Sequence, residues 1–251
     1  MKFGEMIKHS RPQLVVSPRH EEWLRLNSNP VYSTKALRFG AKAMAAQANQ
    51  RDRTHTFSAS SLESCGRRQQ FTFLGMPELP PSTKLAGIFQ NGTFMHIRWQ
   101  MAGLTEGWLK QAEVPIGENA LNLSGTMDGV LYEDSVLELK SINTNGFNQV
   151  QTFGPKVGHI MQVCSYLIAS DREKGVIIYE DKNTQEYSEH IVALDDQLAH
   201  EVTIRNEWLW EKTADRELIE PLDKCMAGEG YQYNGCPFRD RCLKIKKWED
   251  V

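Results

Sequence analysis

Three charged residues interrupt an apolar segment at residues 125–141, GTMDGVLYEDSVLELKS. Glu138 and Lys140 are two residues apart, so on a strand their side chains point to the same face. Asp128 lies upstream, and if the intervening EDS forms a hairpin turn, it lands nearly opposite them on the neighbouring strand. We therefore expect two carboxylates and one ammonium group to converge.

Two carboxylates provide the oxygen ligands that Mg²⁺ or Mn²⁺ prefers. A metal held there would lower the pKa of a bound water and neutralise charge on a phosphate. Lys140 could orient that water or stabilise the developing negative charge. The alternative is a surface hairpin with a Glu–Lys pair, because D-x9-E-x-K alone arises by chance in many chains of this length.

Further residues with chemical potential lie on either side of the hairpin. His96, in NGTFMHIRW, falls in a predicted helix before the strands, where its imidazole could bind a metal. A lone histidine is more often structural. Gln162 and Tyr166, in QVCSY, are four residues apart and share one face of a predicted helix after Lys140. Ordinary helix surface is the alternative for this pair.

The order His, Asp, Glu-x-Lys, Gln-x-x-x-Tyr resembles the RecB-like branch of the PD-(D/E)XK nuclease superfamily. The matching segments are GTFMH, GTMDGV, LELKS and QVCSY. The resemblance implies that Lys140 acts on the nucleophilic water and that Gln162 and Tyr166 position DNA or the active site. It also implies a set of metal ligands: His96, Asp128, Glu138 and the carbonyl group of Leu139.

The chain contains five cysteines. An odd number in a chain expected to be intracellular argues against a disulfide framework and favours metal binding or catalysis. Cys225, Cys236 and Cys242 lack the C-x2–4-C pairs typical of zinc sites. Together with Cys65 they could hold an iron–sulfur cluster that joins the two ends of the chain. Cys164 lies on an apolar helix and is expected to be a buried thiol.

The segments SLESCGRR and GCPFRDRC resemble the iron–sulfur nucleases of the RecB-like group, namely the AddB-type helicase-nucleases and the CRISPR-associated Cas-four exonucleases. The chain is too short for the helicase-like region of AddB. Its length and layout resemble a standalone Cas-four-like exonuclease, a type that bacteriophages also carry. The resemblance covers about residues 57–245 and implies a 4Fe–4S cluster more often than a 2Fe–2S cluster.

The predicted elements place these motifs in an α/β fold. Helices are predicted at 33–50, 58–73 (capped by Ser60 or Ser61), 84–103, 158–170 and 195–214, and strands at 111–116, 120–132, 135–141, 175–181 and 185–194. With the resemblance, this order implies a restriction-endonuclease-like core, a mixed central sheet flanked by helices. We predict a helical extension at 1–55, the nuclease core at 56–220 with Cys65 in its first helix, and an iron–sulfur region at 221–251.

The net charge of −3 neither indicates nor excludes nucleic acid, because phosphate contacts act at short range in salt. Candidate basic patches are Arg67–Arg68 and the segment FRDRCLKIKKW, although such clusters are more often solvated surface. No segment approaches the roughly 20 apolar residues of a membrane span. The N-terminus lacks the apolar run of a signal peptide, so we expect a cytoplasmic protein of a bacterial, archaeal or phage-infected cell.

These observations and the resemblance predict a metal-dependent DNA exonuclease. By resemblance it would run 5′ to 3′ on single-stranded DNA or DNA ends, with some endonuclease activity, in recombination, repair or processing. Its partners would be DNA and recombination or CRISPR adaptation proteins. Assembly into a homo-oligomer that encircles DNA remains an alternative. The alternatives are a CRISPR spacer-processing nuclease and a non-catalytic iron–sulfur or zinc protein that binds DNA.

Overall fold

The computed structural model describes residues 14–46, 54–228 and 234–251. Its strands are β1 (Phe57–Ser58), β2 (Leu109–Pro115), β3 (Leu123–Ser124), β4 (Thr126–Leu131), β5 (Val136–Ile142), β6 (Lys174–Asp181) and β7 (Tyr187–Ala193). Its helices are α1 (Ser17–Leu26), α2 (Thr34–Ala46), α3 (Gly66–Phe73), α4 (Thr83–Glu106), α5 (Thr144–Phe153), α6 (Val157–Ser170), α7 (Asp196–Ala214), α8 (Asp223–Met226) and α9 (Arg239–Cys242). In this part of the chain, no helix is long and apolar enough to cross a membrane.

The central sheet has the strand order β2-β4-β5-β6-β7. Strands β5 and β6 are parallel, and the other neighbouring pairs are antiparallel. The sheet is therefore mixed, as predicted. Strands β1 and β3 form a separate, two-residue parallel pair.

Helices cover both faces of the sheet, because β5 and β6 are apolar on both faces. Leu137 and Leu139 pack in one buried cluster with Trp99 of α4. Val136, one residue before Leu137 and therefore on the opposite face, packs in the other cluster with Val163 of α6. Glu138 lies two residues after Val136, so the period of the strand places it on the face that α6 covers.

Two of the long helices, α4 and α7, have side-chain caps at their starts. Ser82 precedes α4, and its side chain accepts a hydrogen bond from the Leu85 N–H at 3.2 Å. Asp195 does the same for α7, where it accepts from the Leu198 N–H at 2.8 Å. These oxygens satisfy N–H groups that have no partner within their own helix.

The first part of the described chain packs against the core. Val16, just before α1, and Ala36 of α2 lie in the same buried cluster as Trp99 of α4. The carboxylate of Glu189 on β7 accepts hydrogen bonds from three successive backbone N–H groups, those of Val15, Val16 and Ser17, at 2.7–3.3 Å. An anion at this position suits the positive end of a helix, which explains why α1 begins here.

Three predictions about local structure were wrong. The helix predicted at 58–73 is divided into a 3₁₀ turn (Ala59–Ser61) and α3, which begins at Gly66, so neither Ser60 nor Ser61 caps it. Cys65 is therefore the residue before the helix rather than a residue within it.

Helices α1 and α5 were not predicted. The helix predicted at 33–50 is observed as α2 up to Ala46, and residues 47–50 lie outside the described chain.

Arg67 does not belong to a surface basic patch. Its side chain is buried and donates hydrogen bonds to the carbonyl oxygens of Ile219 (3.0 Å), Cys242 (3.1 Å) and Ile245. Phe71 and Phe238 pack edge to face beside it, with ring centroids 5.4 Å apart. Arg67 thus ties the C-terminal segment to α3.

Candidate active site

The hairpin of β4 and β5 aligns the charged residues that the sequence singled out. The ladder pairs Gly129 with Leu137 and Val130 with Val136. Next to this ladder, the Leu139 N–H donates a 2.7 Å hydrogen bond to Asp128 Oδ2. The N–H and C=O groups of one strand residue point to the same edge, so the Leu139 carbonyl faces β4 as well. The predicted hairpin is confirmed.

Helix α4 brings two side chains to Asp128. His96 Nδ1 lies 2.9 Å from Asp128 Oδ1. Gln100, one turn further along α4, donates from Nε2 to the Asp128 carbonyl oxygen and to Glu113 Oε1, both at 2.8 Å. Neither Gln100 nor Glu113 was predicted from the sequence. The four-residue spacing from His96 was a usable signal for Gln100, whereas nothing in the sequence singled out Glu113.

Helix α6 completes a closed network around Glu138. Lys140 Nζ lies 2.6 Å from Glu138 Oε1 and donates to Gln162 Oε1 at 2.8 Å. Gln162 Nε2 donates to Glu138 Oε1 at 2.9 Å and to the Tyr166 hydroxyl at 3.1 Å. That hydroxyl donates to the Thr126 carbonyl oxygen at 3.1 Å. The structure thus brings all the predicted side chains of the site together.

These residues line a cleft of about 1660 Å³. Other parts of its wall come from α2, from the segment around β1 and from the first half of α4. Representative lining residues are Phe39, Lys42, Ser58, Thr72, Ile88 and Phe89. A cleft of this size is larger than a typical small-molecule pocket, and it leads from the protein surface to Glu138 and Lys140.

The two buried carboxylates have different proton affinities. Burial raises the pKa of Glu138 to about 7; the Lys140 charge opposes this effect, and the Asp128 charge adds to it. Burial also works to raise the pKa of Asp128, but His96, the Leu139 N–H and Lys140 outweigh it and lower that pKa. Burial works to lower the pKa of His96, but the charge of Asp128 and its hydrogen bond raise it. Asp128 and His96 therefore favour their charged forms.

Glu138 Oε2 is buried and has no hydrogen-bond partner among the described residues. An unpartnered buried carboxylate oxygen is costly unless a cation satisfies it. The available donors, an imidazole, two carboxylates and a carbonyl, suit a divalent cation. In the described ranges, however, no three His, Cys, Asp or Glu side chains stand at metal-binding spacing. His96 and Asp128 instead satisfy each other.

Neighbouring thiols influence the pKa of Cys225 and the pKa of Cys242. Burial raises the pKa of Cys225, and Cys65 and Cys236 raise it further. Burial also raises the pKa of Cys242 to about 11; the Arg67 charge opposes it, and the other three thiols add to it. The structure thus gathers these thiols in one region, although without metal-binding spacing. Cys164 is fully buried in the core, as predicted, and burial raises its pKa to about 12.

Comparisons with solved structures show which fold this is. LHK-Exo in complex with dAMP aligns with a TM-score of 0.53 and 18% identity over 65% of this chain and 90% of that chain. LHK-Exo is described as an alkaline exonuclease from Laribacter hongkongensis. SSO0001 aligns with a TM-score of 0.53 and 17% identity over 85% of this chain and 99% of that chain.

These alignments confirm the α/β part of the predicted fold class, since the chain shares the fold of an exonuclease, with a mixed central sheet flanked by helices; they do not support the predicted iron–sulfur region. No protein-family model matches the sequence, and no curated protein matches it.

Proposed function

We propose that the protein is a metal-dependent deoxyribonuclease that removes nucleotides from the end of a DNA strand. The observation that carries this proposal is the Glu138–Lys140–Gln162 network, which faces a wide cleft next to Asp128. The exonuclease fold supports it. LHK-Exo was solved with dAMP, a mononucleotide of the kind that an exonuclease releases. We propose that the cleft of this protein binds a nucleotide next to Glu138 and Lys140.

The proposed ligands for Mg²⁺ or Mn²⁺ are His96, Asp128, Glu138 and the Leu139 carbonyl. When bound, the cation would polarise the scissile phosphate and acidify a water molecule. Glu138 Oε2, unpartnered among the described residues, is the oxygen that such a cation would satisfy. Its other oxygen stays with Lys140 and Gln162, so the carboxylate is held in one orientation.

Lys140 would stabilise negative charge in the reaction. An ammonium group has three N–H donors, and the contacts with Glu138 and Gln162 use two of them. The third remains for the attacking water or a phosphate oxygen. Because both partners are fixed, the ammonium group needs little reorganisation as charge develops.

Gln162 and Tyr166 would act as positioning residues. The Gln162 amide bridges Lys140 and Glu138, and Tyr166 holds the amide in turn. Tyr166 can approach β4 because Gly125 has no side chain; a Cβ atom there would lie 2.7 Å from the tyrosine ring. Any residue larger than glycine at position 125 would displace the tyrosine and loosen the amide that it holds.

The test is a cleavage assay with Mn²⁺ on single-stranded and duplex DNA labelled at either end, which also reports polarity; we propose 5′ to 3′. The wild-type protein should release labelled nucleotides. Glu138→Gln should reduce the rate by at least about 100-fold, since it removes a ligand and the partner of Lys140. The matched control, Lys212→Gln, alters a lysine of α7 that forms an ion pair with Glu217, and it should leave the rate unchanged. Near-wild-type cleavage by a folded Glu138→Gln protein would overturn the proposal.

We also propose that Cys65, Cys225, Cys236 and Cys242 hold an iron–sulfur cluster of the 4Fe–4S type. The support is that Cys65 and Cys236 raise the pKa of Cys225, and that these three thiols raise the pKa of Cys242, because such effects require thiols that lie near one another in the fold. A cluster bound to four thiolates would be a structural link between α3 and the C-terminal segment.

Iron and sulfide analysis of protein purified without oxygen tests this assignment. Each of the four Cys→Ser variants should lose iron, whereas the matched control Cys164→Ser should keep it, because Cys164 lies in the core. A colourless protein with one zinc ion per chain would replace the cluster with a zinc site. Full iron in Cys65→Ser would contradict the proposed ligand set.

A further inference from the structure

One wall of the cleft is formed by α2, from the part of the chain that has no counterpart in the nuclease resemblance. Phe39, Lys42, Ala43 and Ala46 all line the cleft. Their spacing of three, four and seven residues from Phe39 places them on one face of the helix. The wall is therefore a continuous helical surface that extends the cleft beyond the candidate metal ligands.

Helix α2 is fixed on α4, the helix that carries His96. Ala36 and Gly40 are buried one turn apart. A Cβ atom at Gly40 would lie 2.6 Å from Met101 Sδ, so only glycine permits this close approach without a shift of the methionine. The Ser33 N–H also donates to Thr105 Oγ1 of α4 at 3.1 Å. The wall thus keeps a defined position relative to the site.

The charge of α2 suits a polyanion. The helix contains Lys35, Arg38 and Lys42 and no acidic residue. Lys35 Nζ contacts the Lys110 carbonyl oxygen at 3.2 Å, whereas Lys42 is exposed, lines the cleft and forms no ion pair within the described ranges. An exposed ammonium group that faces a cleft occupied by DNA would replace a counterion on a phosphate.

Aromatic side chains line the same cleft. Phe39 belongs to the α2 wall, and Phe89 of α4 is 58% exposed. Aromatic faces next to a basic helix suit the binding of single-stranded nucleic acid, because its phosphates and the faces of its bases are both accessible. A small anion has no base that could stack on these aromatic side chains.

We propose that α2 binds the DNA strand outside the cleavage site, with Lys42 in contact with a backbone phosphate. The inference rests on the proposed nuclease function and adds a binding surface to it. The carboxylates of the metal site repel a phosphodiester until a metal ion is bound. The ammonium group of Lys42 lies on a separate wall, so it holds the strand independently of the metal. Strand binding therefore has a component that does not require Mg²⁺ or Mn²⁺.

The salt dependence of binding tests this contact. The dissociation constant of a labelled 20-nucleotide single strand is measured in EDTA over a range of salt concentrations. Loss of one phosphate contact should make the slope of log K against log salt shallower by about 0.7. Lys42→Gln should therefore bind several-fold more weakly at low salt, with a difference that narrows as salt rises, and Lys42→Arg should bind like the wild type.

Two controls separate this contact from general charge and from catalysis. Lys212→Gln removes one positive charge on α7 and should keep the wild-type slope. The titrations contain EDTA, so metal-dependent cleavage does not occur during them and a difference between Lys42→Gln and wild type reports binding alone.

A Lys42→Gln slope equal to that of the wild type overturns the inference, even if the wild type cleaves DNA. An equal reduction in Lys212→Gln also overturns it. If the wild type neither binds nor cleaves DNA, the nuclease proposal itself fails.

Discussion

Arg67 offers a measurable test of how the C-terminal segment is attached. We consider Arg67→Met, which keeps most of the buried volume but removes the guanidinium group. The guanidinium donates to the carbonyl oxygens of Ile219, Cys242 and Ile245, two of them in buried contacts. Methionine cannot donate a hydrogen bond, so these carbonyl groups lose their charged partner.

The magnitude follows from those contacts. A hydrogen bond to a charged group contributes about 1.5–3 kcal/mol net, and we count only the two buried ones because solvent can reach the third carbonyl. Loss of both contacts should therefore cost about 3–6 kcal/mol, of which the Ile245 contact, about 1.5–3 kcal/mol, attaches the C-terminal segment. A loss of about 3 kcal/mol raises the population of the detached segment roughly 100-fold, up to the limit of complete detachment.

Limited trypsin digestion of metal-free protein measures this population, since Arg241 and Lys244 lie in the segment. Arg67→Met should be cleaved there much faster than the wild type. Arg67→Lys is the matched control for charge: it keeps the cation but loses the planar fork, so its cleavage should also accelerate, although less. If Arg67→Met is cut at the wild-type rate, the three contacts do not hold the segment and the reasoning is refuted.

Three further predictions concern the core and the site. His96→Ala should raise the Mn²⁺ concentration for half-maximal cleavage about 10-fold or more while it hardly changes DNA binding, and superimposable metal titrations would contradict this. Burial, with the charges of Lys140 and Lys156, lowers the pKa of His159 to about 3. The stabilisation from neutral His159 is therefore complete above pH 6.5 and is lost as pH falls towards 3. The free energy of unfolding, measured with urea, should fall less steeply over this window in His159→Gln than in the wild type, by up to about 1.4 kcal/mol per pH unit, and equal slopes would contradict this. Gly103→Ala should cost about 1–3 kcal/mol in urea unfolding, because its Cβ would lie 2.5 Å from the buried Trp108 ring, and an unchanged midpoint would contradict this.

The parts that the sequence predicted well are those governed by local periodicity. The two-residue spacing of Glu138 and Lys140 determined their common face, and the four-residue spacing of Gln162 and Tyr166 did the same on α6. The missed parts depend on distant partners. Nothing near Arg67 indicates that its charge would be buried, because the carbonyl groups it contacts lie more than 150 residues further along the chain.

The two missed helices have separate explanations. Helix α1 has a polar sequence, and its start is stabilised by Glu189 from β7 rather than by a residue of its own. Helix α5 begins at an Asn-rich segment that suggests a loop, although Asn143 in fact caps it by accepting from the Gly146 N–H at 2.8 Å. Asparagine favours both loops and helix starts, so composition alone does not distinguish them.

The contact between Glu189 and residues 15–17 has a consequence for synthesis on the ribosome. The three N–H groups leave the ribosome 172–174 residues ahead of the carboxylate that satisfies them. At about 5–20 residues per second, this interval lasts roughly 10–35 s. Helix α2 waits a shorter time for its partner α4, because the contact between Ser33 and Thr105 spans 72 residues. The cleft wall can therefore form before β7 has emerged, whereas the start of α1 gains its contact with Glu189 only afterwards.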